Sequence, residues 1–440
     1  MSFVRNEVTY VDIMKRLSMS SGANQFLLVF GDLLAMTLYE KAREVMPGPL
    51  VGYRIIDLTS NVTGPLATMI LGDQGADVIK VERPGQGDHV RATGSQEKGL
   101  SAPFLNNNRN KRSIAIDLKT ERGRDVVLKL AENADVFVQN FRPGVADRIG
   151  VSEGDLRGVN PNIIYVSISG FGEKGPYAQR PAYDPIIQAM SGLATVQGGS
   201  DKERPRLVRT ILPDKLTAFT AAQAITAALL ARVKTGQGQH VRLSMLDTLI
   251  SFMWASDMSA YTFLEEDGKP ERAASRIDLI YDTADGYISV AVNTDREWKA
   301  LTKVLDRPEW TKDDRFLTPA LRAENIDKRL QLIQEVLVTR STEEWVTRMA
   351  VEKVPCAPVL TRSTMLDHEQ VTASGIIREY EHHKVGKIRQ ARSASRFSKT
   401  RPEFRFGAPM LGEHTQEILE ESGVDKDDIL ELVVSKTVVC

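Results

Sequence analysis

The chain has 440 residues, with 57 Lys and Arg against 58 Asp and Glu and a formal net charge of -1. That length exceeds what one hydrophobic core usually serves, so two domains, or one large domain with an insertion, are expected. The near-zero charge argues against nucleic-acid or membrane-surface binding and confines any anion site to a local cluster of Arg and Lys. Cys356 and Cys440 give neither a disulfide framework nor a zinc spacing, so no metal is expected and a reducing, cytoplasmic setting is.

Residues 1–50 read as a mixed helical extension. The apolar patch Phe26-Leu27-Leu28-Val29-Phe30 stops at Gly31-Asp32, short of a membrane span. Glu7 and Asp12 in the lead segment are unlike a secretory signal, while organellar targeting by this stretch stays open. Order is expected after Pro47-Gly48-Pro49, with a buried strand Arg54–Leu58, a polar turn Thr59–Pro65, a helix through Leu71 and a second strand Asp77–Glu82. This is a βαβ unit, the building block of a parallel sheet. The turn after the first strand lacks G-x-G-x-x-G, so a nicotinamide or flavin site has no support there.

Strand and helix go on alternating through Ile114–Leu118, a helix from about Glu121, Asp135–Gln139, a short helix and Ile163–Ile168. A doubly wound α/β sheet follows for residues 53–170, with its ligand crevice at the carboxyl ends of the strands. Arg83, Lys119, Asn140 and Arg148 fall at or shortly beyond those ends. Each by itself reads as a surface group; converging, they would suit a ligand with several phosphates.

The run Leu207–Leu212 reads as a strand broken at Pro213, where Asp214 enters a long alanine-rich helix. Asp is among the best N-cap residues, so helix capping is one role for Asp214; a nucleophile is the other. Asp184 is a second carboxylate at a helix start. From about Glu265 the texture becomes that of a smaller α+β domain, with a hairpin-like Asp285–Val292, helices from Glu297 and Lys328, and an interrupted strand Val354–Val359 in which Cys356 is a packed side chain rather than a nucleophile. The segment Pro409–Thr415 opens a helix with a Glu-His pair at its head, suited to docking on the large domain.

The stretches GYRIIDLTSNVTGP, LGDQGADVIKVERPGQGD, NRNKRSIAIDLK, ADVFVQNFRPG, SISGFGEKGPY, KTGQGQ, VPCAPV and PMLGEHT, in that order, resemble the family III CoA-transferases of the CaiB/BaiF type, which include formyl-CoA, carnitine and succinate-glutarate CoA-transferases. The resemblance runs from Gly52 to about Leu419 and implies a Rossmann-like large α/β domain with an inserted smaller α+β domain, in an interlocked homodimer. It divides the chain into an extension (1–50), a large CoA-binding domain (51–230), linker helices (231–275), a small domain (276–385) and a return to the large domain (386–440).

The resemblance makes Asp214 the nucleophile of a transferase that moves CoA from an acyl-CoA, succinyl-CoA among the candidates, to another carboxylic acid through aspartyl anhydride and thioester intermediates. Coenzyme A is then a substrate and no permanent cofactor or metal is required. Arg83, Lys119, Asn140, Phe141 and Arg148 are implied to hold the CoA nucleotide, and Asn61, Val62 and Thr63 to lie near the thioester. Backbone N–H groups at the head of the Asp214 helix and in the loop after Leu58 are expected oxyanion donors. Arg91 or Arg180 would favour a dicarboxylate.

Three departures stand out: Val62 replaces a glutamine of formyl-CoA transferases, residues 256–280 hold only Gly268 where those enzymes have a glycine-rich lid, and Ala218 replaces a frequent glycine. A 2-methylacyl-CoA racemase would use Asp184 and an adjacent histidine, but Tyr183 precedes it here. A catalytically silent acyl-CoA-binding protein is the remaining alternative.

Overall fold

The computed structural model describes residues 48–199, 201–264 and 279–439. The expected N-terminal helical extension, most of the stretch inspected for a glycine-rich lid, and Cys440 lie outside them. In chain order the elements that matter are β1 (Arg54–Asp57), α1 (Thr63–Asp73), β2 (Asp77–Glu82), β3 (Lys111–Ile116), α2 (Glu121–Ala131), β4 (Val136–Gln139), α3 (Glu153–Val159) and β5 (Ile164–Ser169). They are followed by α4 (Asp184–Met190), α5 (Leu212–Thr235), β6 (His240–Ser244), α6 (Met245–Trp254), β7 (Ile280–Asp282), β8 (Tyr287–Val290), β9 (Cys356–Pro358) and β10 (Val438–Val439).

Seven strands form one sheet in the order β10-β3-β2-β1-β4-β5-β6. Pairs β1–β2, β2–β3, β1–β4 and β4–β5 are parallel, and β10 joins β3 antiparallel. The expected α/β sheet is therefore present, with an edge strand at the chain's end that its two-residue length hid. The helices start where local chemistry permits: Thr120 caps α2 through the Gly123 N–H, and Ser152 with Asp155 forms a capping box for α3.

The described chain divides into two compact units. The first takes residues 48–167, 221–241 and 393–439. On one sheet face alternate residues Ile56, Ile79, Val81, Ile114, Ile116, Phe137 and Tyr165 pack with Val127, Leu130, Ile418 and Leu432, and on the opposite face Ile55, Val78, Val138 and Val166 are buried as well. Period-two alternation sends Asp57, Lys80, Glu82 and Lys111 to the opposite face, where they too are buried. The Glu-His head docks as expected: His414 donates its N–H to the Ser113 carbonyl at 3.0 Å. His240 anchors β6, with Nε2 2.8 Å from Ser167 Oγ and Nδ1 2.6 Å from Glu153 Oε2.

The second unit takes residues 168–199, 201–220, 242–264 and 279–392. One part is a three-stranded sheet, β9-β8-β7, antiparallel throughout, packed on Trp298, Leu301, Trp310, Phe316, Trp345 and Met349. The expected strands at Asp285–Val292 and Val354–Val359 are β8 and β9. Burial pushes the Cys356 thiol up, which suits an inert packed side chain. A second cluster gathers Ile187 of α4 with Met245, Leu249 and Met253 of α6.

Helix α5 begins in the second unit and ends in the first. By length and composition it would suffice to cross a membrane, and its buried stripe of Ala218, Ala221, Ala222, Ile225, Ala228 and Leu229 recurs at helical spacing.

Candidate active site

The chain order of the strands reverses at β1, which lies between β2 and β4. A crevice opens at such a switch point, outside the carboxyl ends of the strands. The turn that follows β1 is held there almost wholly by side chains. Thr59 N–H donates to Asp57 Oδ1 at 2.9 Å, Ser60 N–H to Asn140 Oδ1 at 3.0 Å, and Asn61 N–H to Asp88 Oδ1 at 3.2 Å. Two carbonyls accept in return, Thr59 from Lys80 Nζ at 2.8 Å and Ser60 from Asn140 Nδ2 at 2.8 Å. Asn61 sits at φ 71°, a left-handed conformation that Asn tolerates better than most residues. Gly64 is required by proximity, since a Cβ there would lie 2.3 Å from Thr59 Cβ.

Beneath this turn lies a buried charge cluster that strand alternation foreshadowed and the sequence reading missed. Asp57 and Lys80 are directly opposite across β1 and β2. Lys80 reaches Asp88 Oδ2 at 3.1 Å, and Lys111 reaches Asp57 Oδ2 at 2.9 Å, the Pro65 carbonyl at 2.8 Å and Asn108 Oδ1 at 2.8 Å. Burial pushes the Asp57 carboxyl up, but Lys111 and Lys80 override it and hold it well below the carboxylate range. Burial pushes Lys111 down to about 8, with Asp57 opposing and Lys80 assisting. Three acceptors around its Nζ match the three donors of an ammonium group, so the charged pair is the form this geometry fits.

Four of the expected nucleotide-binding residues follow strand ends. Arg83 follows β2, Lys119 lies just past β3, and Asn140 and Phe141 follow β4; Arg148 ends the short helix Val145–Arg148. Arg83, Lys119 and Arg148 are exposed, and among the described residues none of them has an ion pair. Arg83 donates to Gln86 Oε1 at 2.6 Å. Phe141 is half-buried against the core, and the Asn140 amide is occupied by the Ser60 backbone. Val62 precedes α1 without capping it, and Thr63 opens that helix.

In the second unit Asp214 is half-buried in the first turn of α5. The expected strand before it is absent: 207–211 run irregularly, with Leu207 and Ile211 exposed, because no neighbouring strand pairs with them. The helix starts at Leu212, so Pro213 occupies an early position that needs no N–H, and Asp214 is its third residue rather than its N-cap. Asp184 is buried and accepts from Gln188 Nε2 at 2.6 Å and from the Asp214 N–H at 3.3 Å. Burial raises its pKa, with the Gln188 and Asp214 hydrogen bonds opposing. Gln188 in turn accepts the Val208 N–H at 2.9 Å, so Asp184 and Gln188 brace the lead into α5.

One expectation about specificity is corrected, and one about donors is narrowed. The N–H groups of 59–61 are spent on Asp57, Asn140 and Asp88, and at the head of α5 Leu212 donates to the Thr210 carbonyl, Asp214 to Asp184 and Lys215 to the Ile211 carbonyl, so the expected oxyanion donors are committed in part. Arg91 is buried in a two-pronged pair with Glu82, at 2.8 and 2.7 Å, and stacks over Phe104, which removes it from substrate recognition. Arg180 remains exposed, with its guanidinium 3.7 Å above the Tyr177 ring. Among the described residues no group of three or more His, Cys, Asp or Glu is arranged to hold a metal ion.

Residues 50–415 match the model of CoA-transferase family III. The chain is 36% identical over 380 residues to human succinyl-CoA:glutarate CoA-transferase, covering 85% of this chain and 86% of the relative. It is 34% identical over 381 residues to acetyl-CoA:oxalate CoA-transferase of Acetobacter aceti, covering 85% and 96%. A crystal structure of a CAIB/BAIF family protein from Brucella suis superposes with a TM-score of 0.75 at 32% identity, covering 86% of this chain and all of that one. With a parallel-dominated sheet and similarity to the family across most of its length, the chain belongs to CoA-transferase family III.

Proposed function

We propose that this transferase moves CoA from an acyl-CoA to a second carboxylic acid with Asp214 as nucleophile. The observation that carries the reading is a half-buried carboxylate in the first turn of α5, where the helix dipole favours its ionised form. One Asp214 oxygen attacks the thioester carbonyl, a C–O bond forms, the C–S bond breaks, and CoA leaves as thiolate from a mixed anhydride. The thiolate then attacks the aspartyl carbonyl and releases the first acid, leaving an aspartyl-CoA thioester. The second acid reverses the sequence and departs as the new acyl-CoA. Arg83, Lys119 and Arg148 hold phosphates, Asn140 and Phe141 contribute to the nucleotide pocket, and Asn61, Val62 and Thr63 lie near the thioester. The name of the human relative supports succinyl-CoA as a donor. Exposed Phe219, Leu230 and Val233 on α5, with Phe252 and Trp254 on α6, support burial of these faces in a homodimer. Asp184 as a racemase base is disfavoured, because its carboxylate is spent on Gln188 and the head of α5.

The test is incubation with an acyl-CoA, trapping with hydroxylamine and peptide mapping. Label at Asp214 and loss of transfer in Asp214→Ala are expected. Undiminished transfer in that variant overturns the assignment.

A further inference from the structure

Resting on the double displacement at Asp214, we propose that the Thr217 hydroxyl is the hydrogen-bond donor to the oxyanion that forms on the aspartyl carbonyl carbon when CoA thiolate attacks the anhydride. Thr217 is fully buried, and its Oγ1 has no hydrogen-bond partner. A buried hydroxyl left without a partner is costly, and such groups are rare enough that each calls for a reason. The contrast lies within one helix: Thr220 donates to the Leu216 carbonyl at 2.9 Å and Thr226 to the Ala222 carbonyl at 2.9 Å, each four residues back. Thr217 makes no such bond.

Position gives the orphan a role. Residues three apart on a helix share a face, so Thr217 lies one turn beyond Asp214 on the same side of α5. Within the first turn of α5 the backbone N–H groups are committed. Leu212 N–H donates to the Thr210 carbonyl at 2.8 Å, Pro213 has no N–H, Asp214 N–H donates to Asp184 Oδ2 at 3.3 Å, and Lys215 N–H donates to the Ile211 carbonyl at 3.2 Å. The Lys215 ammonium donates to Thr210 Oγ1 at 2.8 Å. Among the described residues the Thr217 hydroxyl is thus a buried donor on this face with no acceptor of its own.

The step balances without proton transfer. Thiolate sulfur bonds to the aspartyl carbonyl carbon, the carbonyl π pair moves onto oxygen, and Thr217 O–H donates a hydrogen bond to it. Collapse restores the carbonyl, breaks the bond to the bridging oxygen and releases the first acid as carboxylate. A donor aimed at charge that develops only in the transition state speeds the step without tightening substrate binding.

The experiment compares Thr217→Val, which keeps the shape and deletes the hydroxyl, with Thr217→Ser and Asp214→Ala in the full-length enzyme, using succinyl-CoA with glutarate as probe substrates. Expected for Thr217→Val is a fall in kcat of about 100-fold, KM for the acyl-CoA within about threefold of wild type, an unchanged or higher melting temperature because an unpaired buried hydroxyl is gone, and slower build-up of the aspartyl-CoA adduct by intact-protein mass. Thr217→Ser is expected to recover most of kcat. A Thr217→Val enzyme with wild-type kcat overturns the inference, as does a loss of kcat that tracks a lowered melting temperature. Full transfer in Asp214→Ala instead removes the underlying mechanism.

Discussion

Replacing Lys80 by Met tests whether the buried charges hold the turn after β1. Lys80 is fully buried; burial pulls its pKa down, but Asp57, Asp88 and Glu82 together raise it, so it is an ammonium at neutral pH. Methionine fills the volume but leaves Asp88 without its cation and the Thr59 carbonyl without its donor. Removing one partner of a buried pair costs about 3–5 kcal/mol. The lower end applies because Lys111 still serves Asp57 and the Asn61 and Val90 N–H groups still serve Asp88. Against a typical stability of about 5–15 kcal/mol the variant stays folded. Trp254, Trp298, Trp310 and Trp345 all fall in the second unit, so tryptophan fluorescence is blind to the first. Hydrogen exchange across β1, β2 and the turn is the suitable assay. Expected is a loss of about 3 kcal/mol in the protection of β1 and β2, with the amides of 59–61 most exposed. A further Asp88→Leu change should recover part of the loss, since an apolar pair replaces an ion pair at little net cost. A loss below about 1 kcal/mol with unchanged protection at 59–61 refutes the reasoning.

Asp184→Asn keeps one acceptor, for the Asp214 N–H, but sets its amide NH2 against the Gln188 Nε2 donor, so it is expected to lower the melting temperature and kcat less than Asp184→Ala, which leaves both the Asp214 N–H and Gln188 Nε2 without that acceptor; calorimetry and turnover assays check both. Acid stability follows from the buried carboxylates. Burial raises Asp57, Asp77 and Glu82, but Lys111 and Lys80, Arg112 and Arg54, and Arg91 and Lys80 respectively bring each below its ordinary value of 3.8 or 4.5. The unfolded chain therefore takes up protons first, so their stabilisation is intact above pH 4.5 and lost as pH falls through the depressed folded values. Asp184, raised by burial, runs the other way. Urea midpoints measured from pH 7 to pH 3 should hold to about 4.5 and then drop; a flat profile counts against the buried pairs.

The alternating strands and helices of residues 53–170 were legible in the sequence because hydrophobic periodicity and turn chemistry are local. So were the positions of Arg83, Lys119 and Asn140 at strand ends, and a carboxylate at the start of an alanine-rich helix. The strand expected at 207–212 failed for a physical reason: a short apolar run becomes a strand only beside another strand, and among the described residues none pairs with it, its backbone being held instead by the Gln188 side chain. Tertiary structure also decided which polar groups were free. Arg91 looked available in sequence, but Glu82 lies against it. In the loop after Leu58, expected to hold oxyanion donors, the N–H groups of 59–61 are consumed by Asp57, Asn140 and Asp88. Sequence by itself determined the family and the nucleophile candidate, because recurring motifs carry both. Only the folded chain decided which donors remain unspent beside that nucleophile, because a hydrogen-bond partner is a matter of distance in the folded state, whether two residues away, as for Leu212 and Thr210, or thirty, as for Asp214 and Asp184.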